Sequence, residues 1–402
     1  MSTNARTMTL AASLPVVILV LAAAVAAAVP VSSGPDYEAL AQKLVSQCAA
    51  IHAGDLVTVF GGVRDLELLE DIAVNVRKAG AFPLVTIGSD RMTRRMYTDV
   101  PAAYDSQSPE FDLKIAGAVT VEISITSGEA EGLLADIPTA RRIAVSNAAV
   151  PVSNLLLQRN VRIVYLGNGL YPTDALAKEY GMTKELLANT FWAGVNVDYT
   201  QLQETARKLK GILSSGKEAH LTNPNGTDLK VRIEGRPVFA SDGVISPEDQ
   251  QRGGLNCWLY LPAGEVFLAP VPGTATGKVV VDRQFYEGKE INDLTLIFER
   301  GKLTSMTAKA GLEGLKAMYD AAGPGKDEFA FVDIGINPDV RLAPGSRMVA
   351  WMPAGMVTVG IGDNTFAGGD NKIAYGLSTF MPGSTLEIDG RPVVEKGVLK
   401  LQ

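Results

Sequence analysis

From Tyr37 onward the chain alternates short apolar runs with stretches of helical periodicity. Leu56-Val57-Thr58-Val59-Phe60 is a β-branched run that ends in Gly61-Gly62, and it reads as a strand closing in a turn. Between Asp65 and Lys78 the apolar residues Leu66, Leu68, Leu69, Ile72, Ala73 and Val76 recur at the spacing of one helix face. Phe82-Pro83-Leu84-Val85-Thr86-Ile87 predicts the next strand, and Ala118 to Ile125, Arg142 to Val145 and Val161 to Leu166 predict three more, with helical stretches between. Strands spaced by helices in this way predict an α/β domain over residues 37–213, built on a doubly wound, mostly parallel sheet. Its last part, Thr183 to Leu213, is mostly helical and leads out of the domain.

After Gly216 the period shortens. Asn223-Pro224-Asn225-Gly226-Thr227 lies between apolar runs, and Asn-Gly in that setting predicts a hairpin. Short strands are expected at Asn256–Tyr260, Val266–Ala269, Lys278–Val281, Leu294–Phe298, Phe329–Ile336, Met348–Trp351, Met356–Ile361, Leu386–Asp389 and Val393–Leu399, with one helix at Ala308–Ala322. Residues 216–402 are thus expected to form a β-rich α+β domain.

The segment before these domains is different in kind. Residues 1–9 carry Arg6, and Leu10 to Val31 follow almost without a polar side chain, with small residues at Ala26-Ala27-Ala28. A basic start, an apolar stretch and small residues near its end fit a secretory signal peptide. Residues 1–31 are therefore expected to direct the protein to a secreted or periplasmic location. The alternative is membrane anchoring by residues 10–31, whose length is near the roughly 20 residues a spanning helix needs. A membrane is a partner only if this segment stays uncleaved.

Composition narrows the function. The formal net charge is −7 with acidic and basic residues interspersed, which argues against a nucleic-acid partner. The two cysteines, Cys48 and Cys257, sit in different halves and are expected as buried free thiols, with pairing in an oxidising compartment as the alternative. The only histidines are His52 and His220, each read as a turn or strand residue without ligand-spaced neighbours. Gly61-Gly62 lacks the third glycine of a dinucleotide fingerprint and reads as a plain strand-to-helix turn. There is no G-x-S-x-G elbow.

Several stretches, in order, resemble the thermophilic metalloaminopeptidase family of the aminopeptidase T, S and II type. They are Tyr37-Glu38-Ala39-Leu40, Gly54-Asp55-Leu56-Val57, Tyr171-Pro172-Thr173, Gly226-Thr227-Asp228-Leu229, Phe298-Glu299-Arg300-Gly301-Lys302, Asp333-Ile334-Gly335-Ile336-Asn337-Pro338 and Ile388-Asp389-Gly390. The most specific stretch is Leu261-Pro262-Ala263-Gly264-Glu265-Val266-Phe267-Leu268-Ala269-Pro270. The resemblance implies two divalent metal ions, zinc or cobalt, in a cleft between the domains, where a metal-bound water releases the N-terminal residue of a peptide. Homodimers are common in that family, so a homodimer is implied by the resemblance alone.

The ligand positions of the family carry over poorly. Its first glutamate falls on Glu265 and its second on the shorter Asp333. The Glu…Gly-x-Val-His segment falls on Trp351…Gly355-Met356-Val357-Thr358, and the following tyrosine on Thr365. The late His-x-Asp falls near Gly376 and Ser378. No histidine follows His220, so the imidazole ligands are missing and the cofactor implied by the resemblance is not expected here. Asp363 and Asp370, with Glu265 and Asp333, could instead form an oxygen-ligand site, or simply serve glycine-rich turns.

The expected function is that of an exported, aminopeptidase-like pseudoenzyme with a degenerate dimetal site. It would bind a peptide or small-molecule ligand in the cleft, with Glu265 facing an amine and Trp351 filling space. The alternative is an active metal-dependent aminopeptidase using a rebuilt carboxylate-rich site.

Overall fold

The computed structural model describes residues 35–126, 128–130, 132–286 and 289–401. The apolar leader, with the signal or anchor expected of it, lies outside these residues. No described helix is long and apolar enough to cross a membrane.

The chain enters through α1 (Tyr37–Lys43), which runs on as a π turn to Cys48, and then builds the parallel sheet. Its elements are β1 (Leu56–Gly62), α2 (Leu66–Lys78), β2 (Phe82–Gly88), α3 (Asp90–Thr98), α4 (Glu110–Ala118), β3 (Val121–Ile125), α5 (Thr139–Gln158) and β4 (Arg162–Leu166). Three helices follow: α6 (Asp174–Tyr180), α7 (Lys184–Val195) and α8 (Tyr199–Ser215). The helix expected after Asp65 forms because Leu68, Leu69, Ile72 and Val76 fall on one face, and all four are fully buried against the sheet.

The second half contributes β5 (Glu218–Asn223), β6 (Thr227–Arg232), β7 (Phe239–Ser241), α9 (Pro247–Arg252), β8 (Trp258–Leu261), β9 (Glu265–Leu268), β10 (Thr276–Tyr286), β11 (Lys289–Glu299), β12 (Lys302–Thr307), α10 (Glu313–Ala321), β13 (Phe329–Gly335), β14 (Val357–Gly362), β15 (Gly376–Met381), β16 (Thr385–Ile388), β17 (Arg391–Glu395) and β18 (Val398–Leu399). The Asn-Gly hairpin is present: β5 and β6 pair antiparallel from Asn223–Thr227 downward, with Gly226 at the turn.

Three sheets result. The parallel sheet has the order β2-β1-β3-β4-β8. An eight-stranded antiparallel sheet has the order β12-β11-β10-β6-β5-β16-β17-β18, and a five-stranded antiparallel sheet the order β15-β14-β13-β9-β7. The fold is thus an α/β parallel sheet with helices plus a β-rich antiparallel half. Residues from Tyr37 onward form one compact unit. In the five-stranded sheet β13 and β14 are buried along their whole length, which is why their sequences lack the alternation of half-exposed strands.

Four expectations for individual elements are corrected. Residues 142–145 lie inside α5, which starts at Thr139 and continues through Ala148-Ala149 and Leu155-Leu156-Leu157. Met348–Trp351 forms no strand; the segment is held instead by Asn337 N–H donating to the Met352 carbonyl at 2.8 Å. The helix expected from Ala308 begins only at Glu313, because Lys309 N–H still bonds the Asn292 carbonyl at 2.9 Å. The strand expected at Asn256–Tyr260 starts at Trp258, and it adds to the parallel sheet beside β4 rather than to the antiparallel half.

The two thiols are separate. Cys48 and Cys257 are both buried free thiols, and burial pushes the Cys48 thiol up to about 12.

Candidate functional site

The five-stranded sheet brings five of the sequence-derived positions onto one surface. Glu265 on β9 pairs with Gly335 on β13, and Asp333 pairs with both Phe267 and Thr358. Along β14 and β15, Gly360 pairs with Ser378 and Gly362 with Gly376. Side chains alternate between faces along a strand. Glu265, Asp333, Thr358, Ser378 and Gly376 therefore share one face, and Glu265 and Asp333 stand diagonally across neighbouring strands.

The turn that delivers Glu265 depends on close packing. Gly264 has φ +133°, and a Cβ there would lie 2.5 Å from Cβ of Asn337. The Asn337 side chain is fully buried and donates to the carbonyls of Gly194 at 3.0 Å and Ala263 at 2.7 Å. It also accepts from the N–H groups of Asp339 and Val340. This one amide ties α7, the Glu265 turn and the end of β13 together. Gly335 is as constrained: a Cβ would meet the carbonyl oxygens of Pro353 at 2.2 Å and Trp351 at 2.3 Å.

A cavity of about 350 Å³ is lined by this face, by Asn168 just after β4, and by Trp258 and Tyr260 of β8. Its acidic corner is Glu265 and Asp333, with Asn168 beside them: Asn168 Nδ2 donates to the Pro262 carbonyl at 2.9 Å and to Glu265 Oε1 at 3.4 Å. One wall is aromatic. Phe239 stacks on Phe267 with centroids 5.8 Å apart, Phe366 lies 5.8 Å from Phe267, and Phe331 lies 5.2 Å from Phe366. Trp258, Tyr260 and Trp351 line the cavity as well. Trp351 packs edge-on to Phe380 at 5.2 Å. No lysine, arginine or histidine is among the described residues that line it.

The electrostatics follow from burial. Desolvation pushes the Glu265 carboxyl up to about 7, although the Asn168 amide pulls the other way. Desolvation, and then the Glu265 charge nearby, raise Asp333 well above the ordinary aspartate range. Asp333 Oδ1, Thr358 Oγ1, Ser241 Oγ and Trp258 Nε1 are all buried without a hydrogen-bond partner among the described residues. Three of these four belong to residues lining the cavity. Such groups are costly to leave unpaired.

The remaining sequence-derived positions do not line the cavity. Thr358 is fully buried beside Asp333 in the sheet. Asp363 follows β14 and accepts from Thr365 Oγ1 at 3.1–3.2 Å. Asp370 lines a separate hollow with Asn364, Asn371 and Glu328. Gly376 is at the exposed start of β15, with Ser378 two residues on. The four carboxylates weighed as an oxygen-ligand site are therefore not gathered: Glu265 and Asp333 line one cavity, Asp363 is engaged at its own turn and Asp370 faces another hollow. His52 sits in a turn where its N–H donates to Asp55, and His220 Nε2 lies 2.8 Å from Asp228 on the eight-stranded sheet. Among the described residues, no group of three or more His, Cys, Asp or Glu is placed to hold a metal ion.

Sequence reading missed Asn168, Ser241, Trp258 and the phenylalanine wall. A signal existed for Asn168. Gly167-Asn168-Gly169 follows a parallel strand at its C-terminal end, where ligands of open α/β sheets bind, and Asn168 holds φ 40°.

Two solved structures share the fold. Wild-type AmpT from Thermus thermophilus is 17% identical and superposes with a TM-score of 0.68, covering 90% of this chain and 98% of that one. The 2,5-dihydroxypyridine dioxygenase from Pseudomonas putida KT2440 is 14% identical with a TM-score of 0.59, covering 90% of this chain and 96% of that one. Comparison with curated proteins gives no match. The family described as thermophilic metalloprotease (M29) matches residues 35–333, a span that includes Glu265 and ends on Asp333. The chain belongs to the M29 thermophilic metalloprotease family.

Proposed function

We propose that this M29 protein is an exported, aminopeptidase-like ligand-binding protein whose dimetal centre is degenerate. The observation that carries the reading is the donor set of the cavity: two buried carboxyls, Glu265 and Asp333, with no imidazole or third carboxylate beside them among the described residues. Zinc favours nitrogen and sulfur donors, and a catalytic zinc site needs three protein ligands per ion. Two ions would need more than this cavity offers. Where the resemblance puts a glutamate and a histidine stand Trp351, which lines the cavity, and Thr358, which is sealed in the sheet. The residues present do not fit a pair of zinc or cobalt ions.

What the cavity offers instead is a place for a ligand. Its volume, aromatic wall and few convergent polar groups are those of a small-molecule site. The fold is not tied to peptides, since one structural neighbour is a dioxygenase of 2,5-dihydroxypyridine. Export is proposed on the apolar run of residues 10–31 with its basic start.

The test is to offer aminoacyl chromogenic substrates with added zinc or cobalt while following thermal stability with peptides and small amines. The reading expects stabilisation without cleavage; a ligand at 100 times its dissociation constant adds about 2.7 kcal/mol. Metal-dependent turnover that Glu265→Ala abolishes would replace it with an active aminopeptidase.

A further inference from the structure

We infer that the cavity takes a protonated amine carried on a single aromatic ring, an arylalkylamine rather than a peptide, with the ammonium between Glu265 and Asp333. The inference rests on the ligand-binding reading above and narrows its occupant by charge, size and shape.

Charge comes first. The described lining holds two carboxyl groups and no basic side chain, and neither Glu265 nor Asp333 is in an ion pair among the described residues. An anionic ligand would meet two acids and no cation. Burial alone holds the two carboxyls toward their neutral form; an ammonium between them favours their ionised form, and its three donors can meet Glu265 and Asp333 Oδ1, which has no hydrogen-bond partner among the described residues. Asp333 is 2% exposed, so solvent does not take the place of that partner.

Size and shape select the rest. About 350 Å³ is near the lower end of small-molecule cavities, room for one ring and a short arm. The Phe239–Phe267–Phe366–Phe331 wall offers ring faces and edges over a continuous surface, which favours a flat aromatic body. Ser241 Oγ and Trp258 Nε1, both buried and unpartnered, are donors left over for a ring hydroxyl or another acceptor. A peptide would carry a second backbone unit past this wall, with no described basic residue to receive its carboxylate.

Titration calorimetry on the full chain distinguishes the classes. The probes are 2-phenylethylamine, its neutral counterpart 2-phenylethanol, its saturated counterpart 2-cyclohexylethylamine, phenylacetate, a Phe-Ala dipeptide, and magnesium or calcium chloride alone. The amine should bind at least about tenfold more tightly than the alcohol and several-fold more tightly than the cyclohexyl amine, with no binding of phenylacetate. Glu265→Gln, with its fold checked by circular dichroism, should lose about tenfold for the amine and leave the alcohol unchanged. Phenylacetate or the alcohol matching the amine would overturn the inference. So would magnesium or calcium binding that Glu265→Gln removes. Uncleaved dipeptide binding in the absence of amine binding would sink the arylalkylamine class and leave the ligand-binding reading standing. Metal-dependent cleavage of the dipeptide would sink the reading itself.

Discussion

Glu265 and Asp333 stand diagonally on one face of the five-stranded sheet, Glu265 opposite Gly335 and Asp333 opposite Phe267. Far apart in sequence, they are brought to the same acidic corner by a single antiparallel register. A slip of one residue in that pairing would send one of them to the other face. The Asn337 amide and the glycines at 264 and 335 hold the register by leaving no room for a shift.

The acidic corner should make stability depend on pH. Burial raises Glu265 to about 7 from the usual 4.5. A carboxyl raised on folding contributes its full stability below the unfolded value, and that contribution is lost as pH rises through the folded value. Glu265→Gln should therefore melt higher than the parent at pH 8, and the difference should vanish by about pH 4. Differential scanning calorimetry across that range reads it directly. A variant less stable than the parent at pH 8 would mean that the charged carboxylate is well satisfied there.

The parallel sheet is anchored by a different kind of contact. Arg162 is 7% exposed, donates to the carbonyls of Ala49 and Ala50, and pairs with Asp55 at 2.7 Å. Burial works to raise Asp55, but the His52 N–H, Arg162 and Thr120 together hold its carboxyl below the ordinary value. Arg162→Met strands that carboxylate and should cost about 3–5 kcal/mol in urea unfolding. The loss should shrink as pH falls through the Asp55 range, since the depressed group gives its stability only above it.

Gly335→Ala tests the packing of the Trp351 segment. The new Cβ would fall within 2.3 Å of two carbonyl oxygens on that segment. A loss of about 2–3 kcal/mol is expected, with a red shift of tryptophan emission as Trp351 is pushed from the cavity wall. Unchanged emission and stability would show that the strand and segment have room to part.

Much of the fold was readable because local pattern and final structure agree. The β-branched runs before Gly61-Gly62 and from Val161 to Leu166 became β1 and β4, and the Asn225-Gly226 turn closed its hairpin. Arg142 to Val145 misled because four such residues look the same in a strand and in a long helix. The partner of Trp258–Leu261 was unreadable, since its pairing with β4 joins segments about a hundred residues apart and leaves no local mark. The site divides the same way. Glu265 and Asp333 stood out within distinctive stretches, whereas Asn168, Phe239, Ser241, Trp258 and Phe366 come from separate segments that only folding assembles.

As proposed, this cavity does not supply the ligands for the metal pair that the resemblance implies. Zinc and cobalt titration of the purified full chain by calorimetry, with elemental analysis before and after chelation, tests it most directly. Less than stoichiometric metal as purified, and no saturable binding that depends on Glu265 and Asp333, are expected. Two tightly held ions per chain, lost in Glu265→Ala and restored together with peptide hydrolysis in the parent, would contradict it.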